Sequence, residues 1–303
     1  LDTLDPAIGI VREFEITGGV WGRYVLNKLE PNVSPPTPEV VDISVERGAS
    51  STGTVWRLVS RGYVFRRVDA ALPFNVYPNS VLGQDVVDCE IRRMTMAPPA
   101  QAALCARRGD LVNIGNRARI RGGSAVGVVF PQDTGWLTNN GEISGVQLAA
   151  AVSGYQDTVF SIFGVTPAEL SSLADDRVTS ATTFPSPIPT NHVIYAETDL
   201  TFDASKPLRG LGIVYVDGNV TISSGSNSFF NGLLVVTGDL TVQAPSLLRG
   251  TVIVHGNVSF SGLGDYSELE YDDAVLNSLM QQVGQYRRSS TIRKARLRGS
   301  MNQ

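Results

Sequence analysis

The side chains of this chain that could carry acid–base chemistry are its aspartates, and their spacing argues against catalysis. In the second half of the chain they lie mostly at turn positions: Asp199, Asp203, Asp217 and Asp239. The pairs Asp175-Asp176 and Asp272-Asp273 lie near predicted helix ends, where capping accounts for them. A polysaccharide hydrolase or lyase needs acids clustered in a groove, or a base with cationic partners. We therefore expect no catalytic residues and no enzyme.

The remaining reactive side chains carry no metal or cofactor signature. His192 and His255 are predicted at a strand start and at a turn, far from the cysteines. The sequence contains no CxxC pair, no GxSxG elbow and no metal triad. The basic, Gly-rich stretch GNRARIRGG at 115–123 lacks the Lys-Ser/Thr ending of a phosphate loop. The sequence therefore predicts no metal site and no cofactor.

Cys89 and Cys105 enclose a short segment that contains Pro98 and Pro99. Two interpretations are open: two buried free thiols, or a disulfide, which only an oxidising compartment would maintain. The bond would close a loop of about 17 residues, for which the chain-entropy model gives roughly 3 kcal/mol. We expect the disulfide, on the hypothesis that the protein is exported.

Composition indicates a β-rich protein. The chain has 303 residues with 18% charged, below the usual quarter, and its 30 glycines exceed the usual share of about 7%. The net charge of −4 argues against general nucleic-acid binding. No apolar run approaches the roughly 18 residues that a membrane helix needs.

One strand–turn–strand sequence motif occurs three times. The copies are GIVYVDGNVTIS at 212–223, GLLVVTGDLTVQ at 232–243 and GTVIVHGNVSFS at 250–261. Stepping back by the same interval reaches Thr198 in VIYAETDLTFD, and a weaker copy surrounds Gly109 in LCARRGDLVNI. Units this short cannot fold alone and are typical of a stacked solenoid. The sequence predicts a parallel β-solenoid over 191–264, with rungs of about 18–20 residues.

The turn of each copy has a recurring chemistry. Gly can adopt a positive φ, and Asn or Asp side chains bond to nearby backbone, so each rung can turn at the same place. The predicted turn residues are Gly218, Asn219, Gly238, Asp239, Gly256 and Asn257. Beyond the turn, apolar and hydroxyl side chains alternate, as in a strand with one inner and one outer face.

The strand before each turn is apolar on both faces, which predicts burial on both. Its outer face would form a wall that another element covers: Ile213, Tyr215, Leu233, Val235 and Ile253. A predicted helix of about 273–287 follows, with an apolar stripe of Val275, Leu276, Leu279, Met280 and Val283. We expect this helix to cover the wall. The alternative cover is the head domain or a neighbouring subunit.

The last residues of the chain are strongly basic. The cations are Arg287, Arg288, Arg293, Lys294, Arg296 and Arg298. They form either a solvated tail or a docking tail for an acidic neighbour or a membrane surface.

Two proline-rich connectors, at 31–38 and 184–189, divide the chain. Strand-like segments between the first connector and Cys89 predict an antiparallel meander. A Thr cap, a Pro and a Glu predict a short helix at 167–174. The predicted domains are a β-rich head at 1–100, a transition region with a candidate first rung near 109 at 101–190, the solenoid at 191–264, and the helix with its basic tail at 265–303.

Four stretches carry a family resemblance: WRLVSRGYVFRRVDA, IFGVTPAELSSLAD, GIVYVDGNVTISS and YDDAVLNSLMQQVGQYRRS. Together they span most of 54–290 and resemble the PilX-type minor pilins and related type IV pilus assembly proteins. The resemblance implies a pilin-like head, export to the cell surface and assembly with other pilin subunits. Such pilins have a hydrophobic N-terminal helix, which we expect upstream of Leu1 as the sole membrane contact. The repeat alone resembles bactofilin-like polymers, whose β-solenoid subunits stack end to end.

Taken together, the sequence predicts a mainly β fold: an antiparallel pilin-like head, a short parallel β-solenoid and a C-terminal covering helix. The predicted function is that of a structural subunit of an extracellular or surface filament, which packs against other subunits and presents a surface for adhesion to a surface or glycan target. The alternative is a carbohydrate-binding or carbohydrate-cleaving β-helix. Exposed aromatic side chains lining a groove with acids at its floor would favour that alternative.

Overall fold

The computed structural model describes residues 10–29, 34–35, 37–49, 52–283 and 286–294, with only the backbone of residues 283 and 290–294. The chain divides into two compact units. The head unit comprises the described residues up to Arg93 and from Tyr286 onward, and the solenoid unit comprises those from Met94 to Val283. Along the chain, the solenoid unit is therefore an insertion in the head unit.

The elements follow one another in this order. The described residues before the solenoid unit form β1 Ile10–Thr17, β2 Val20–Leu26, β3 Val40–Asp42, β4 Val55–Arg66 and β5 Ser80–Arg93. The solenoid unit begins with β6 Ala102–Ala106, β7 Val112–Ile114, β8 Ala118–Arg121, β9 Val126–Pro131, β10 Thr138–Asn139, β11 Glu142–Ser144 and β12 Gln147–Val152, followed by the helices α1 Val159–Phe163 and α2 Pro167–Leu173. It continues with β13 Asp176–Val178, β14 Ile188–Ala196, β15 Leu200–Phe202, β16 Arg209–Val216, β17 Val220–Ile222, β18 Ser228–Val236, β19 Leu240–Gln243, β20 Ser246–Val254, β21 Val258–Ser261, β22 Ser267–Glu270 and the helix α3 Asp273–Val283. The strand β23 Tyr286–Lys294 returns to the head unit.

The head unit is an antiparallel sheet, as predicted. Its strand order is β1-β2-β4-β5-β23, and β3 pairs with β4. The strands β5 and β23 are neighbours in this sheet, so the solenoid unit is inserted between two paired strands. Mainly β structure with an antiparallel sheet, parallel sheets and a C-terminal helix confirms the predicted fold class.

The basic segment, predicted as a solvated tail or a docking tail, begins instead as a strand of this sheet. Arg287 and Arg288 pair with Arg92 and Ile91 of β5, and Arg293 and Lys294 continue the same strand. The Tyr286 side chain helps to hold the strand, because its hydroxyl accepts from Trp56 Nε1 at 3.2 Å. Arg296 and Arg298 lie outside the described residues.

The solenoid unit is a stack of parallel rungs. From one end to the other they are rung 0 (β13), rung 1 (β14–β15), rung 2 (β16–β17), rung 3 (β18–β19), rung 4 (β20–β21), rung 5 (β22 with β6 and β7), rung 6 (β8, β9 and β10) and rung 7 (β11–β12). The copies at Thr198, Gly218, Gly238 and Gly256 supply rungs 1 to 4. The weaker copy around Gly109 lies in rung 5, so residues 102–152 belong to the solenoid rather than to a transition region.

The chain enters this stack in its middle. It starts in rung 5 with β6, winds to rung 7, crosses through α1 and α2 to rung 0, and winds back to rung 4. The strand β22 then completes rung 5 beside β20 and β8. The first and last strands of the inserted unit, β6 and β22, therefore belong to the same rung, which suits an insertion between neighbouring strands because inserted domains need their ends close together.

Opposite charges line the outer face where distant chain segments meet in rungs 4 to 7. Arg119 of β8 lies 3.0 Å from Glu268 of β22 and 2.9 Å from Glu142 of β11. Arg249 of β20 and Glu270 of β22 pair at 3.3 Å. In these pairs, opposite charges face each other on neighbouring strands, an arrangement that supports the register of the sheet.

The turn side chains form a ladder along the stack. The Asn219 N–H donates to Asp199 Oδ1 at 2.7 Å, and the Asp239 N–H donates to Asn219 Oδ1 at 2.8 Å. The Asn257 N–H donates to Asp239 Oδ1 at 2.7 Å. Each Asx side chain thus satisfies a backbone donor of the next rung, which explains why Asn and Asp recur after the glycine.

The turn glycines are needed for close approach between rungs. Gly238 and Gly256 do not have the positive φ that their turn chemistry predicted. A Cβ atom on Gly238 would lie 2.3 Å from Asn219 Oδ1 and 2.7 Å from the Gly218 carbonyl oxygen. Any larger side chain would therefore push the two rungs apart and break the ladder.

We predict that Gly238→Val destabilises the protein far more than Thr241→Val. The first change forces a side chain into the rung contact, which typically costs about 1–3 kcal/mol. The second alters a half-buried position on the next strand and should stay near 0.5 kcal/mol. Urea midpoints of the two variants measure the difference, and equal midpoints would contradict the close-approach explanation.

Candidate functional site

The head sheet has a face on which glycines alternate with large side chains. Residues directly opposite each other in a sheet share a face. One such row contains Phe14, Gly22, Val64 and Gly83, and another contains Tyr24, Gly62 and Asp85. A Cβ on Gly22 would lie 2.7 Å from the Phe14 ring, so that ring lies over this glycine.

These rows line a hollow of about 430 Å³, to which Ile16 also contributes. We call this hollow the sheet groove. Its large apolar side chains are open to solvent, with Phe14 52%, Ile16 53% and Tyr24 42% exposed. Glycine weakens a strand and often marks a close approach of another backbone. The groove therefore has the shape and the chemistry of a surface that receives an apolar element.

The opposite face of the same sheet is covered. Phe74 packs against Tyr63 and Phe65 at ring-centroid distances of 4.9 and 5.6 Å, and Phe65 is fully buried. The guanidinium of Arg67 lies over the Trp21 ring at 4.3 Å. A covered face and an open apolar face on one sheet single out the groove as the candidate packing surface of the head unit.

An ion-pair network crosses the covered face. Glu13 pairs with both Arg23 and Arg67. Burial would raise the pKa of Glu13, but hydrogen bonds and charges from the two arginines outweigh it and lower that pKa below the usual value. The network ties the outer strand β1 to Arg23 of β2 and to Arg67.

The predicted Cys89–Cys105 disulfide is wrong, because both cysteines are free thiols. Cys89 lies on β5 of the head unit and Cys105 on β6 of the solenoid unit. Between the two cysteines the chain passes from one unit to the other. Their closeness in sequence therefore does not lead to a disulfide. Cys105 is fully buried, and burial raises the pKa of its thiol to about 12.

The apolar wall of the solenoid unit is buried. Its residues are each 4% exposed or less: Ile213, Tyr215, Leu233, Val235 and Ile253. They pack in one cluster with Leu276 and Leu279 of α3. Ile162 and Phe163 of α1 and Leu170 of α2 belong to the same cluster, so three helices share the cover.

The covering helices differ from the prediction in extent. The helix α3 ends at Val283 instead of continuing to 287, with Val275 partly buried and Met280 44% exposed. The side chain of Val283 lies outside the described side chains. The predicted helix at 167–174 is present as α2, capped by Thr166 and Glu169 in a reciprocal capping box.

A partly buried ionic cluster in the solenoid unit had no sequence signal. Arg107 donates from Nε and Nη2 to the two carboxylate oxygens of Asp157, each at 2.9 Å. His255 Nε2 donates to the Asp157 carbonyl oxygen at 3.0 Å, although the two residues are 98 positions apart. Burial lowers the pKa of His255, and the Asp157 carboxylate only partly opposes this. Through the contacts of Asp157 with Arg107 and His255, the cluster holds the segment before α1 against rungs 4 and 5.

The described part of the chain offers no site of metal chemistry. Within it, no group of three or more His, Cys, Asp or Glu side chains is placed to hold a metal ion. His192 instead contacts Asp176 of rung 0 at 2.9 Å. Nor does any described helix have the length and apolar character needed to cross a membrane.

The fold is that of an antiparallel head sheet with an inserted β-solenoid. No family model matches the chain, and the search of curated proteins finds no match. One solved structure that is weakly similar is the competence-associated pilin ComZ from Thermus thermophilus, at 12% identity and a TM-score of 0.26, with 90% of this chain and 84% of that chain covered. At this TM-score the likeness is too weak to establish fold or function, so the role of the chain has to follow from its own geometry.

We predict that the double substitution Leu276→Ser and Leu279→Ser exposes the apolar wall to solvent. Each buried leucine typically contributes about 1.5–3 kcal/mol, so the double variant should unfold the solenoid unit or make the protein associate. Melting temperature and sedimentation measure the two effects. Met280→Ser, at an exposed position of the same helix, is the control. A double variant that stays monomeric with an unchanged melting temperature would show that α3 is dispensable as a cover.

We predict that His255 makes stability depend on pH. Its folded-state pKa lies below the ordinary value of 6.5, so the unfolded chain takes up the proton first as the pH falls. The free energy of unfolding should therefore decrease below about pH 6.5 until the pH passes the folded-state pKa. Urea midpoints at pH 7.5 and 5.5 should differ more in the wild type than in His255→Gln. The same pH dependence in both proteins would contradict the prediction.

Proposed function

We propose that the chain is a structural subunit of an extracellular or surface filament of the pilin type. In this proposal the head unit packs against a neighbouring element through the sheet groove, and the solenoid unit is a rigid module that the subunit presents. The sheet groove is the observation that carries the proposal. An open apolar hollow with three glycines serves packing, since exposed apolar patches on a soluble monomer commonly mark interaction sites.

The occupant we propose for the groove is an apolar helix. A helix with its side chains is about 10–12 Å across and presents ridges of side chains. The glycines at positions 62 and 83 leave room for such a ridge, since a Cβ at either would meet no atom closer than 3.9 Å. The pilin resemblance supplies a hydrophobic helix as the matching element, either of the same subunit or of a neighbour.

A non-catalytic role for the solenoid unit is supported by the use of its acids. Asp199 and Asp239 accept backbone N–H groups of adjacent rungs. Asp203 accepts from the Ser205 hydroxyl at 2.6 Å, and that hydrogen bond leads the interactions that lower its pKa. Acids held in this way support turns, whereas a glycosidase needs one carboxylic acid that stays protonated.

The carbohydrate alternative has less support. It would require an exposed aromatic ring above free acids. Tyr266 lines one hollow of the solenoid unit together with Asp265 and Glu268, but the Arg119 guanidinium lies 3.3 Å from its ring centroid. The neighbouring Glu268 is paired with the same arginine. We therefore propose presentation and packing, with adhesion as a use of the presented surface.

The groove can be tested by filling it. Gly62 has ordinary backbone geometry, and a Cβ there would meet its first neighbour, the Asp85 carbonyl oxygen, at 3.9 Å. Gly62→Phe should therefore fold with a melting temperature near that of the wild type while occupying the groove. In cells that make the protein, we expect the wild type in the sheared filament fraction and the variant only in the cell-associated fraction.

Val68→Phe is the matched control, because Val68 is 63% exposed and lies outside the groove. It should enter filaments as the wild type does. Wild-type protein that never occurs in the filament fraction would overturn the filament role. A Gly62→Phe variant that enters filaments normally would overturn the groove as the packing surface.

A further inference from the structure

The two ends of the solenoid stack are built differently. At the rung 0 end, the segment between β13 and β14 folds over the stack. Phe184 of this segment packs edge-on against Phe202 at 5.1 Å and is 4% exposed. Lys206 Nζ holds the segment by donating to the carbonyl oxygens of Ala181 and Thr182 at 2.7 and 3.0 Å.

Charge further protects the rung 0 end. Arg177 of β13 pairs with Glu197 at 2.8 Å, and Asp176 contacts His192. Charged side chains on a short edge strand are a common means of preventing further strand pairing. The rung 0 end is therefore capped against continuation of the stack.

The rung 7 end has no such cap among the described residues. The strand β12 pairs with β9 on one side, and no described strand pairs with its other side. Ala151 of β12 lies opposite the fully buried Phe130 in the ladder, yet Ala151 itself is exposed. The last rung thus has one row of β12 backbone groups without a described partner strand, and its Ala151 is open to solvent.

The sequence around β12 lacks the charged and proline residues that commonly protect an edge strand. From Gly145 to Gln156 the chain carries no charged residue and no proline. Val146 is 76% exposed and Leu148 is 58% exposed. An edge that is uncharged, apolar and six residues long is a template for pairing with another strand.

We propose that β12 pairs with β12 of a second copy of this chain, in an antiparallel, two-fold symmetric contact. Head-to-tail stacking is disfavoured because the rung 0 end is capped. A single strand added by another protein would leave its own outer edge unpaired, whereas self-pairing leaves none. An uncharged edge also meets its own copy without like-charge repulsion. The contact joins two solenoid units at their rung 7 ends and does not depend on the sheet groove.

The test introduces lysines at the edge. Sedimentation velocity over a concentration series should show the wild type shifting from monomer to dimer. Hydrogen exchange in the peptide 145–153 should slow as the dimer forms. Val146→Lys with Leu148→Lys should raise the dimer dissociation constant by at least about tenfold and restore fast exchange.

Leu263→Lys is the control, since Leu263 is 90% exposed in a turn of the same unit. It should dimerise like the wild type. If the double variant has a lower melting temperature than the wild type, the single variant Leu148→Lys is tested in its place. A wild type that stays monomeric with fast exchange in 145–153 would overturn the proposal. The proposal would also be overturned if both edge variants dimerised as strongly as the wild type. It would likewise be overturned if Leu263→Lys weakened the dimer as much as the edge variants do.

Discussion

The backbone N–H and C=O groups of a solenoid strand have no partners within their own rung. Only the strands of neighbouring rungs can pair them, and the architecture follows from this requirement. The glycine at each turn lets rungs approach closely, and the Asx ladder satisfies the donors at the corner. The strand walls are then apolar on both sides, which requires the helices α1, α2 and α3 as an outer layer. At β12 no described strand meets the requirement on one side, and the proposed contact with a second copy would meet it there.

Features encoded within one copy or one turn were predictable from the sequence. The alternation after each turn and the doubly apolar strand before it lie within 12 residues, so rungs 2 to 4 and the buried wall follow from local pattern. The capping box of Thr166 and Glu169 is equally local, and α2 is found where those residues predict it. These elements depend on backbone geometry and side-chain period, which a short sequence window displays completely.

Features that join distant segments were not predictable in this way. The rows that form the sheet groove bring Phe14, Val64 and Gly83 together only once the strand order is known. The contact between Asp157 and His255 spans 98 residues, and β23 finds its place beside β5 across the whole inserted unit. The disulfide was wrong for the same reason, since sequence distance did not reveal a unit boundary between the cysteines.

The composite rung has a consequence for how the chain reaches its native state. During synthesis, β6 and β7 emerge long before the strands on which they stack, as the contact from Thr251 to the Ala102 carbonyl spans 149 residues. Contacts of such long sequence separation slow folding, and unpaired strand edges are exposed until they form. Closure of rung 5 is thus a late event, and a nascent chain that stops before β20 would carry an open, adhesive edge in its interior.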